Sequence, residues 1–199
     1  MSELLPVFLK LDGKKVLVVG GGNVALEKLQ HLIGTGCDLT LISEEVLPEV
    51  ENLLLRNGQP RPIQRRIRTS DLEGFHLVYS ATNDPDTNRE LVEFANRNGI
   101  WINCADDPKS CDFYSSAYFD RGPIRVAVST QGEFAGLAGT LRNLIDELLP
   151  AEHDDDLKDL LNVRKLVKDR IGDLNERKNA LKGLLADFKE KYLSIVTKS

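Results

Sequence analysis

The chain has 199 residues, of which 41% are hydrophobic and 29% charged, and its formal net charge at pH 7 is −5. This length allows one large domain or two small ones, and the negative charge argues against general nucleic-acid binding, which needs a basic face. No apolar run approaches the roughly 18–20 residues of a membrane span. Three sparse cysteines and the lack of a secretory signal pattern in residues 1–5 predict a cytoplasmic protein with free thiols.

The first strong pattern is a run of four apolar strand formers that leads into three glycines and then a helical pattern. This order is typical of a buried parallel strand, a tight turn and a helix start. Gly20, Gly22 and Ala25 fit the G-x-G-x-x-[G/A] dinucleotide fingerprint, in which Gly22 lets the backbone approach a pyrophosphate. The cofactor-binding residues predicted for this turn and for the first amides of the helix are Gly20, Gly22, Asn23 and Val24.

A pair of acidic residues follows the second predicted strand. In NAD-binding folds an acid at the end of this strand binds the ribose hydroxyls. Glu44, Glu45 and the Ser43 hydroxyl are therefore alternative ribose ligands. Because the acids should repel a 2′-phosphate and no arginine follows them, we predict NAD rather than NADP. The alternative is that the acids only favour the start of a helix.

The remaining periodicities predict a β-α-β-α-β, β-α-β, β order, which is typical of a Rossmann-type, doubly wound parallel α/β sheet. We interpret the arginines at 61–68 as a charged, solvated edge strand. We expect an NAD-binding domain at 1–115, a dimerisation region at 116–150 and a helical C-terminal domain at 151–199. The predicted strands are 16–19, 39–42, 62–67, 77–81, 100–103 and 124–128, and the predicted helices are 24–33, 47–57, 86–98, 133–148 and two within 155–193.

Two loops follow strands whose carboxyl ends should line the ligand crevice. Thr82 and Asn83 come after the fourth strand, where they would either contact the cofactor or only cap the next helix. Asp106 and Asp107 come after the fifth strand, where an aspartate can accept a proton from the atom being oxidised. The alternative for the two aspartates is a solvated turn before a proline.

A further candidate site precedes the fourth helix. Ser129, Thr130 and Gly132 bring hydroxyls and free amides to a helix start, which is an arrangement that binds anions. Nearby basic residues would suit a polycarboxylate substrate. The alternative is a capped helix with surface arginines. The basic residues predicted to bind substrate are Lys109, Arg121 and Arg142.

The sequence predicts no metal site, because its three histidines are not at ligand spacing and Cys104 and Cys111 form too small a set. The three C-terminal amphipathic helices need a surface against which to bury their apolar faces. They could cover their own chain or a second copy. We expect a symmetric homodimer to which the strand at 124–128 and the helices contribute, since two-fold dimers are the commonest oligomers.

Taken together, these motifs resemble the precorrin-2 dehydrogenase/sirohydrochlorin ferrochelatase family, which also forms the N-terminal module of siroheme synthase. The motifs occur in the family's order over essentially the whole chain. We expect the stand-alone form, because no methyltransferase region follows. The segments that carry the resemblance are 5–9, 16–25, 81–84, 103–108 and 126–130.

The resemblance implies NAD-dependent oxidation of precorrin-2 to sirohydrochlorin by a homodimer, followed in some members by insertion of Fe²⁺ to give siroheme. The family's important aspartate falls on Asp106, and its hydroxyl pair falls on Ser129 and Thr130. Where the family commonly has Gly-x-Ser-Pro, this chain has Gly-Glu-Phe-Ala at 132–135. Asp107 also replaces a residue that is small in many members. A function of another class, an NAD-sensing subunit without catalysis, is the alternative.

Overall fold

The computed structural model describes residues 4–148 and 154–190, and the chain divides between Ser115 and Ser116 into two compact units. The first unit contains five parallel strands in the order β3-β2-β1-β4-β5, which is a Rossmann-type order. The predicted fold class is confirmed. The strands are β1 Lys15–Val19, β2 Asp38–Ser43, β3 Ile63–Gln64, β4 Leu77–Ser80 and β5 Trp101–Cys104, and the helices are α1 Asn23–Leu32, α2 Pro48–Arg56 and α3 Pro85–Asn98.

Apolar side chains alternate between the two faces of this sheet, so each face has its own core. On one face, Val16 and Val18 of β1 pack with residues of α1 and α2 such as Leu29. On the other face, Leu17 of β1 packs with residues of α3 such as Leu91. Burial on both faces explains why β1 is a continuous apolar run rather than an alternating one.

Strand β3 is much shorter than the predicted strand at 62–67. It pairs only with Ile42 and Ser43 at the end of β2. The chain then leaves the sheet, and Arg65 forms a two-pronged ion pair with Asp71, at 2.6 and 2.8 Å. A single 3₁₀ turn, Thr69–Leu72, occupies the crossover to β4 where a doubly wound sheet usually has a helix.

The outer edge of β5 is covered by the segment at 111–113. The amide of Asp112 donates to the Ile102 carbonyl at 2.9 Å, and the amide of Ile102 donates to the Asp112 carboxylate at 2.8 Å. The Cys111 thiol accepts from the Cys104 amide and donates to its carbonyl, both at 3.1 Å. Groups of Cys111 and Asp112 thus make the hydrogen bonds with β5 that a neighbouring strand would otherwise make.

The second unit contains an antiparallel hairpin and three helices. The hairpin pairs β6 with β7, and α4 packs against both strands, while α5 packs against α6. Phe119 and Ala138 are buried where the hairpin meets α4. The elements are β6 Ala117–Arg121, β7 Ile124–Val128, α4 Ala135–Leu148, α5 Asp154–Arg170 and α6 Leu174–Phe188.

The predicted helices of this unit are confirmed where the structure describes them. The predicted helix end at Pro150, the domain boundary at 150/151, the end of the last helix near 193 and the pattern in residues 1–3 fall outside the described residues, in whole or in part. None of the helices in the described part of the chain is long and apolar enough to span a membrane. The three cysteines are free.

Candidate functional site

A cavity of about 740 Å³ opens at the carboxyl edge of the sheet in the first unit. It has the size of a typical cofactor site. Its lining brings together four segments from neighbouring parallel strands, namely the loops after β1, β2, β3 and β4. Of the predicted cofactor residues, it includes Gly20, Gly22, Ser43, Glu44, Glu45, Thr82 and Asn83.

A Cβ added at each of the three glycines after β1 would meet different surroundings. Gly20 has φ +111°, and a Cβ there would come within 2.8 Å of the Ala81 carbonyl carbon. At Gly21 a Cβ would come within 2.8 Å of the Val46 Cα. At Gly22 it would meet nothing within 4 Å. Gly20 and Gly21 therefore let three loops approach one another, whereas the space at Gly22 is open for a ligand.

The start of α1 fits a pyrophosphate group. Gly22 is its N-cap residue, no side chain caps the helix, and its first turn contains no acid. The amides of Asn23 and Val24 therefore lie at the positive end of a helix dipole without a competing carboxylate. These two residues are not among those that line the cavity, and their amides follow directly on Gly22, which does line it.

The three alternative ribose ligands differ in their availability. The Ser43 hydroxyl donates to the Glu45 carbonyl at 2.6 Å, within the loop after β2. Glu44 and Glu45 are exposed and line the cavity without an intramolecular ion pair in the described structure. Carboxylates readily accept hydrogen bonds from hydroxyl groups. The geometry therefore favours the two glutamates over Ser43.

Two arginines that we interpreted as part of a solvated edge also line this cavity. Arg65 is bound to Asp71, whereas Arg66 reaches only to the Asp84 carboxylate at 3.7 Å and keeps 71% of its side chain exposed. The interpretation of 61–68 as a charged, solvated edge agrees with the position of β3 at the edge of the sheet, and these two residues line the cavity in addition. An arginine therefore shares the cavity with Glu44, and it comes from the loop after β3.

Replacing Asp71 by Ala is expected to destabilise the first unit at pH 7. The carboxylate binds Arg65 and also accepts from the Arg68 amide at 2.8 Å, a capping bond that contributes about 1 kcal/mol. The hydrogen bond from Arg65 holds the pKa of Asp71 below its usual value. Its contribution is therefore present above the unfolded-state pKa and is lost as the pH falls through the folded-state pKa.

Urea unfolding at several pH values measures this effect. The difference between wild type and Asp71→Ala should be full at pH 7 and should close below about pH 4. Asp86→Ala, which removes an exposed helix-surface ion pair with Arg89, is the control. A difference for Asp71→Ala that stays constant down to pH 2 would contradict the assignment to an ionised carboxylate.

The loop after β4 is organised by a buried amide. Asn88 of α3 is 1% exposed, and its Oδ1 accepts from the hydroxyls of Ser80 and Thr82, both at 2.7 Å. Its Nδ2 donates to the Thr82 carbonyl at 3.1 Å. Thr82 also accepts from the Asp84 amide, so its hydroxyl is engaged within the protein. Asn83 is exposed on the cavity wall and is the freer of the two predicted cofactor contacts.

Asp106 lies in the loop after β5, next to the loop after β4, because the Ala105 amide donates to the Ser80 carbonyl at 3.0 Å. The Cys104 thiol donates to its carboxylate at 2.8 Å. Burial raises the pKa of Asp106, but hydrogen bonds from Cys104 and Asn88 outweigh it and leave the pKa below its usual value. Burial and the Asp106 carboxylate raise the pKa of Cys104 to about 12. Asp106 is thus an exposed carboxylate whose lowered pKa favours the ionised form.

Asp107 has a structural position that differs from that of Asp106. It accepts from the Lys109 amide and from the Ser110 hydroxyl, and it caps the 3₁₀ turn Pro108–Ser110. This agrees with the local-turn alternative for this residue. Lys109 is exposed in the same turn and is open to an anion.

In the second unit, the candidate anion site is a tight turn. The Ser129 hydroxyl accepts from the Gln131 amide and the Thr130 hydroxyl accepts from the Phe134 amide, both at 3.1 Å. Gln131 and Gly132 both have positive φ, at 57° and 83°. The two hydroxyls therefore cap the turn before α4 while their own protons remain available for donation. Arg121 forms an ion pair with Asp146, and Arg142 is partly buried in α4.

The structure adds two residues that the sequence reasoning missed. Gly21 occupies a variable position of the fingerprint, and only its contact with the loop after β2 shows its importance. Asn88 had a visible signal, because it lies on the same helix face as Leu91, Val92 and Ala95. A polar residue on an apolar face must find hydrogen-bond partners.

Other candidate sites in the described residues are few. No group of three or more His, Cys, Asp or Glu residues there could hold a metal ion. A second cavity of about 710 Å³ lies at the opposite edge of the sheet, where the strands begin, beside Phe75, His76 and Trp101. It shares no residue with the predicted cofactor site.

Comparison with known proteins agrees with the glycine turn and its cavity. The family model described as "Putative NAD(P)-binding" matches residues 7–117. The chain belongs to this NAD(P)-binding family. The cofactor predicted from the sequence, NAD, is confirmed as far as the NAD(P)-binding family specifies it.

The chain is also similar to siroheme synthases. It is 34% identical over 189 residues to siroheme synthase of Chromobacterium violaceum and 40% identical over 148 residues to siroheme synthase 2 of Aeromonas hydrophila. These matches cover 93% and 74% of this chain but only 40% and 31% of those proteins. The chain thus spans less than half the length of these relatives. The resemblance stated from the motifs is confirmed.

A solved structure of SirC, a precorrin-2 dehydrogenase, superimposes with a TM-score of 0.78. The match covers 98% of this chain and 100% of that one, at 23% sequence identity. At this identity the match establishes the shared fold alone.

Proposed function

We propose that this protein is an NAD-dependent dehydrogenase that oxidises precorrin-2 to sirohydrochlorin in siroheme biosynthesis. The observation that carries the proposal is the Asp106 carboxylate, held ionised on the loop beside the cofactor cavity. The similarity to siroheme synthases over most of the chain supports this substrate. A binding domain that only held a dinucleotide would need no such carboxylate.

Different residues of the chain bind the cofactor and accept the proton. The pyrophosphate binds in the open space at Gly22, against the amides at the start of α1. Glu44 or Glu45 accepts hydrogen bonds from the ribose hydroxyls. NAD, when bound, supplies the acceptor for a hydride. Asp106 takes the proton that leaves the substrate together with that hydride, which balances the two-electron oxidation.

The substrate's carboxylates need cationic and hydroxyl partners. Lys109 is exposed three residues after Asp106 in the first unit. Ser129, Thr130 and Gly132 form the turn before α4 in the second unit, with Arg121 and Arg142 in the same unit. We propose that these residues bind the acidic side chains of the tetrapyrrole. Arg121 would do so while it stays paired with Asp146.

Iron insertion is the second candidate activity within this proposal. Chelation requires that two pyrrole N–H protons leave as Fe²⁺, a substrate here, enters the ring. An ionised carboxylate that can accept protons is the group this step needs, and Asp106 is such a group. We keep this activity as the alternative, beside a non-catalytic NAD sensor.

The deciding experiment uses the purified full chain with precorrin-2 and NAD, with and without Fe²⁺. We expect that precorrin-2 is converted to sirohydrochlorin, with one NADH formed per molecule of product. With Fe²⁺ present, the absorbance of siroheme appears only if the protein also inserts iron. NADP in place of NAD should react more slowly, because Glu44 and Glu45 oppose a 2′-phosphate more strongly than Arg66 attracts it, while Arg65 is already paired with Asp71. Tight NAD binding without conversion of precorrin-2 would support the sensor instead.

We further propose a homodimer formed through the second unit. Four leucines of α4, spaced four, three and four residues apart, lie on one helix face and remain exposed at 38–55% of their surface. An exposed apolar stripe of this length is typical of a protein–protein contact. The leucines are Leu137, Leu141, Leu144 and Leu148.

Replacing Leu144 by Asp is expected to convert the dimer into monomers. A buried charge at the centre of such a contact should weaken association by about 2 kcal/mol or more, which is at least about 30-fold in Kd. Analytical ultracentrifugation over a concentration series measures this change. Asn143→Asp adds the same charge at an exposed neighbouring position and is the control. A Leu144→Asp protein that sediments as wild type would exclude this face of α4.

A further inference from the structure

The second cavity, separate from the cofactor site, opens at the edge of the sheet where the strands begin. Its volume is about 710 Å³, which lies within the range of small-molecule sites in proteins. Three segments of the first unit surround it, within residues 9–14 before β1, 73–77 around the start of β4 and 98–101 between α3 and β5. The residues of the proposed function do not line this cavity, so the proposed reaction does not use it.

The cavity has aromatic walls that the protein covers only in part. Trp101, at the start of β5, leaves 51% of its surface exposed, although the other three residues of this strand are buried. Its backbone is held in place, because its amide donates to the His76 carbonyl at 3.2 Å and it pairs with Leu77 of β4. Phe75 is half-buried and packs against the core on the α3 face of the sheet. A flat ligand can therefore stack on these rings at little cost in ordering the protein.

The charged groups that line the cavity favour an anion. Lys10 and Lys14 are exposed, and neither forms an ion pair within the described residues. Among the described residues that line the cavity, Glu73 is the only acid, so the lysines outnumber it. His76 adds a donor, because its Nδ1 accepts from the Lys15 amide at 3.2 Å and the neutral ring therefore carries its proton on Nε2. The cavity thus provides two ammonium groups and an N–H group for a carboxylate.

We propose that this cavity is a binding site for a planar aromatic carboxylate, whose ring lies against Trp101 and Phe75 and whose carboxylate lies near Lys10 and Lys14. An uncharged ligand would leave the ammonium groups without a partner, and an aliphatic acid would not use the aromatic walls. The inference goes beyond the proposed function, because this site shares no residue with the cofactor cavity at the other edge of the sheet.

The test uses the whole chain, with 2-naphthoate as the probe. Trp101 is the only tryptophan of the sequence, so its indole N–H gives a single proton resonance that reports on this cavity. We expect this resonance to shift in a saturable way, with a Kd below about 1 mM. Naphthalene-2-methanol has the same ring without the charge, and cyclohexanecarboxylate has the charge without the ring. Each should bind at least about fivefold more weakly than 2-naphthoate.

Charge variants show whether the lysines bind the carboxylate. The double variant Lys10→Gln, Lys14→Gln should raise the Kd of 2-naphthoate by at least about fivefold, whereas Glu73→Gln should lower it about twofold, because it removes the opposing charge. Lys182→Gln, at an exposed position of α6 in the second unit, makes the same change elsewhere and should leave the Kd unchanged. All four positions are exposed, so these variants should fold.

Three results would overturn the proposal. The first is a Trp101 resonance that does not shift at about 5 mM 2-naphthoate, several times the expected upper limit of the Kd. The second is equal affinity for 2-naphthoate and naphthalene-2-methanol, which would indicate an apolar surface without charge recognition. The third is a resonance that changes with protein concentration alone, since a second copy of the chain would then cover the cavity. These measurements require no turnover, so their outcome is independent of precorrin-2 oxidation.

Discussion

Replacing Asp106 by Asn is expected to lower kcat for precorrin-2 oxidation by about 10²–10⁴-fold, the range for loss of a general base. Asparagine keeps the shape of the side chain and can still accept from the Cys104 thiol, so the loop should remain in place. The NAD Kd should stay close to that of wild type. Steady-state formation of NADH and calorimetric titration with NAD measure the two quantities.

The neighbouring aspartate provides the matched control. Asp107→Asn can still accept from the Lys109 amide and cap the following turn, and it should retain most of the wild-type rate. Equal losses in the two variants would mean that the charge of the loop matters rather than a particular proton acceptor. Wild-type turnover by Asp106→Asn would remove the proposed base altogether. Repeating both assays with sirohydrochlorin and Fe²⁺ tests whether iron insertion uses the same carboxylate.

The second large effect concerns the glycine turn, where two alanine substitutions should fail for different reasons. In Gly20→Ala a new Cβ would lie 2.8 Å from the Ala81 carbonyl carbon, at a φ of +111° that alanine rarely adopts. We expect destabilisation by more than about 3 kcal/mol, or failure to fold. In Gly22→Ala the new Cβ enters open space, so the free energy of unfolding should fall by about 1 kcal/mol or less.

Gly22→Ala should nevertheless lose cofactor affinity. The open space at Gly22 is where a pyrophosphate would contact the backbone, and a methyl group there should raise the NAD Kd by at least about tenfold. Urea unfolding and calorimetric titration of both variants separate stability from binding. If Gly22→Ala binds NAD as tightly as wild type, the pyrophosphate does not lie against this turn.

The sequence predicted the parallel sheet well, because its strands are apolar runs bounded by glycines and polar loops. It also predicted which loops meet at the carboxyl edge, since this follows from the order of parallel strands. It did not predict how Arg66 and Glu44 come to share one cavity, because they lie in the loops after two different strands, β3 and β2, which are brought together by the pairing of those strands. Strand β3 was predicted too long, since the chain leaves the sheet after Gln64, where Arg65 pairs with Asp71.

Individual roles within the loops were harder to predict than their positions. Asp106 and Asp107 were equivalent in the sequence, and only their hydrogen-bond partners distinguish a carboxylate facing Cys104 from one that caps a turn. Ser43 and Glu44 were likewise open alternatives until the Ser43 hydroxyl was found bonded to the Glu45 carbonyl. These distinctions depend on side-chain orientation, which spacing along the chain does not encode.

The side-chain covering of β5 has a consequence for how copies of this protein can meet. A strand from another molecule would have to displace the bonds that Cys111 and Asp112 make with the outer groups of β5. At the opposite edge, β3 offers only two residues, next to charged arginines. Neither edge therefore invites the open-ended addition of strands that leads to aggregation. Association is left to surfaces outside the parallel sheet, such as the exposed leucine face of α4.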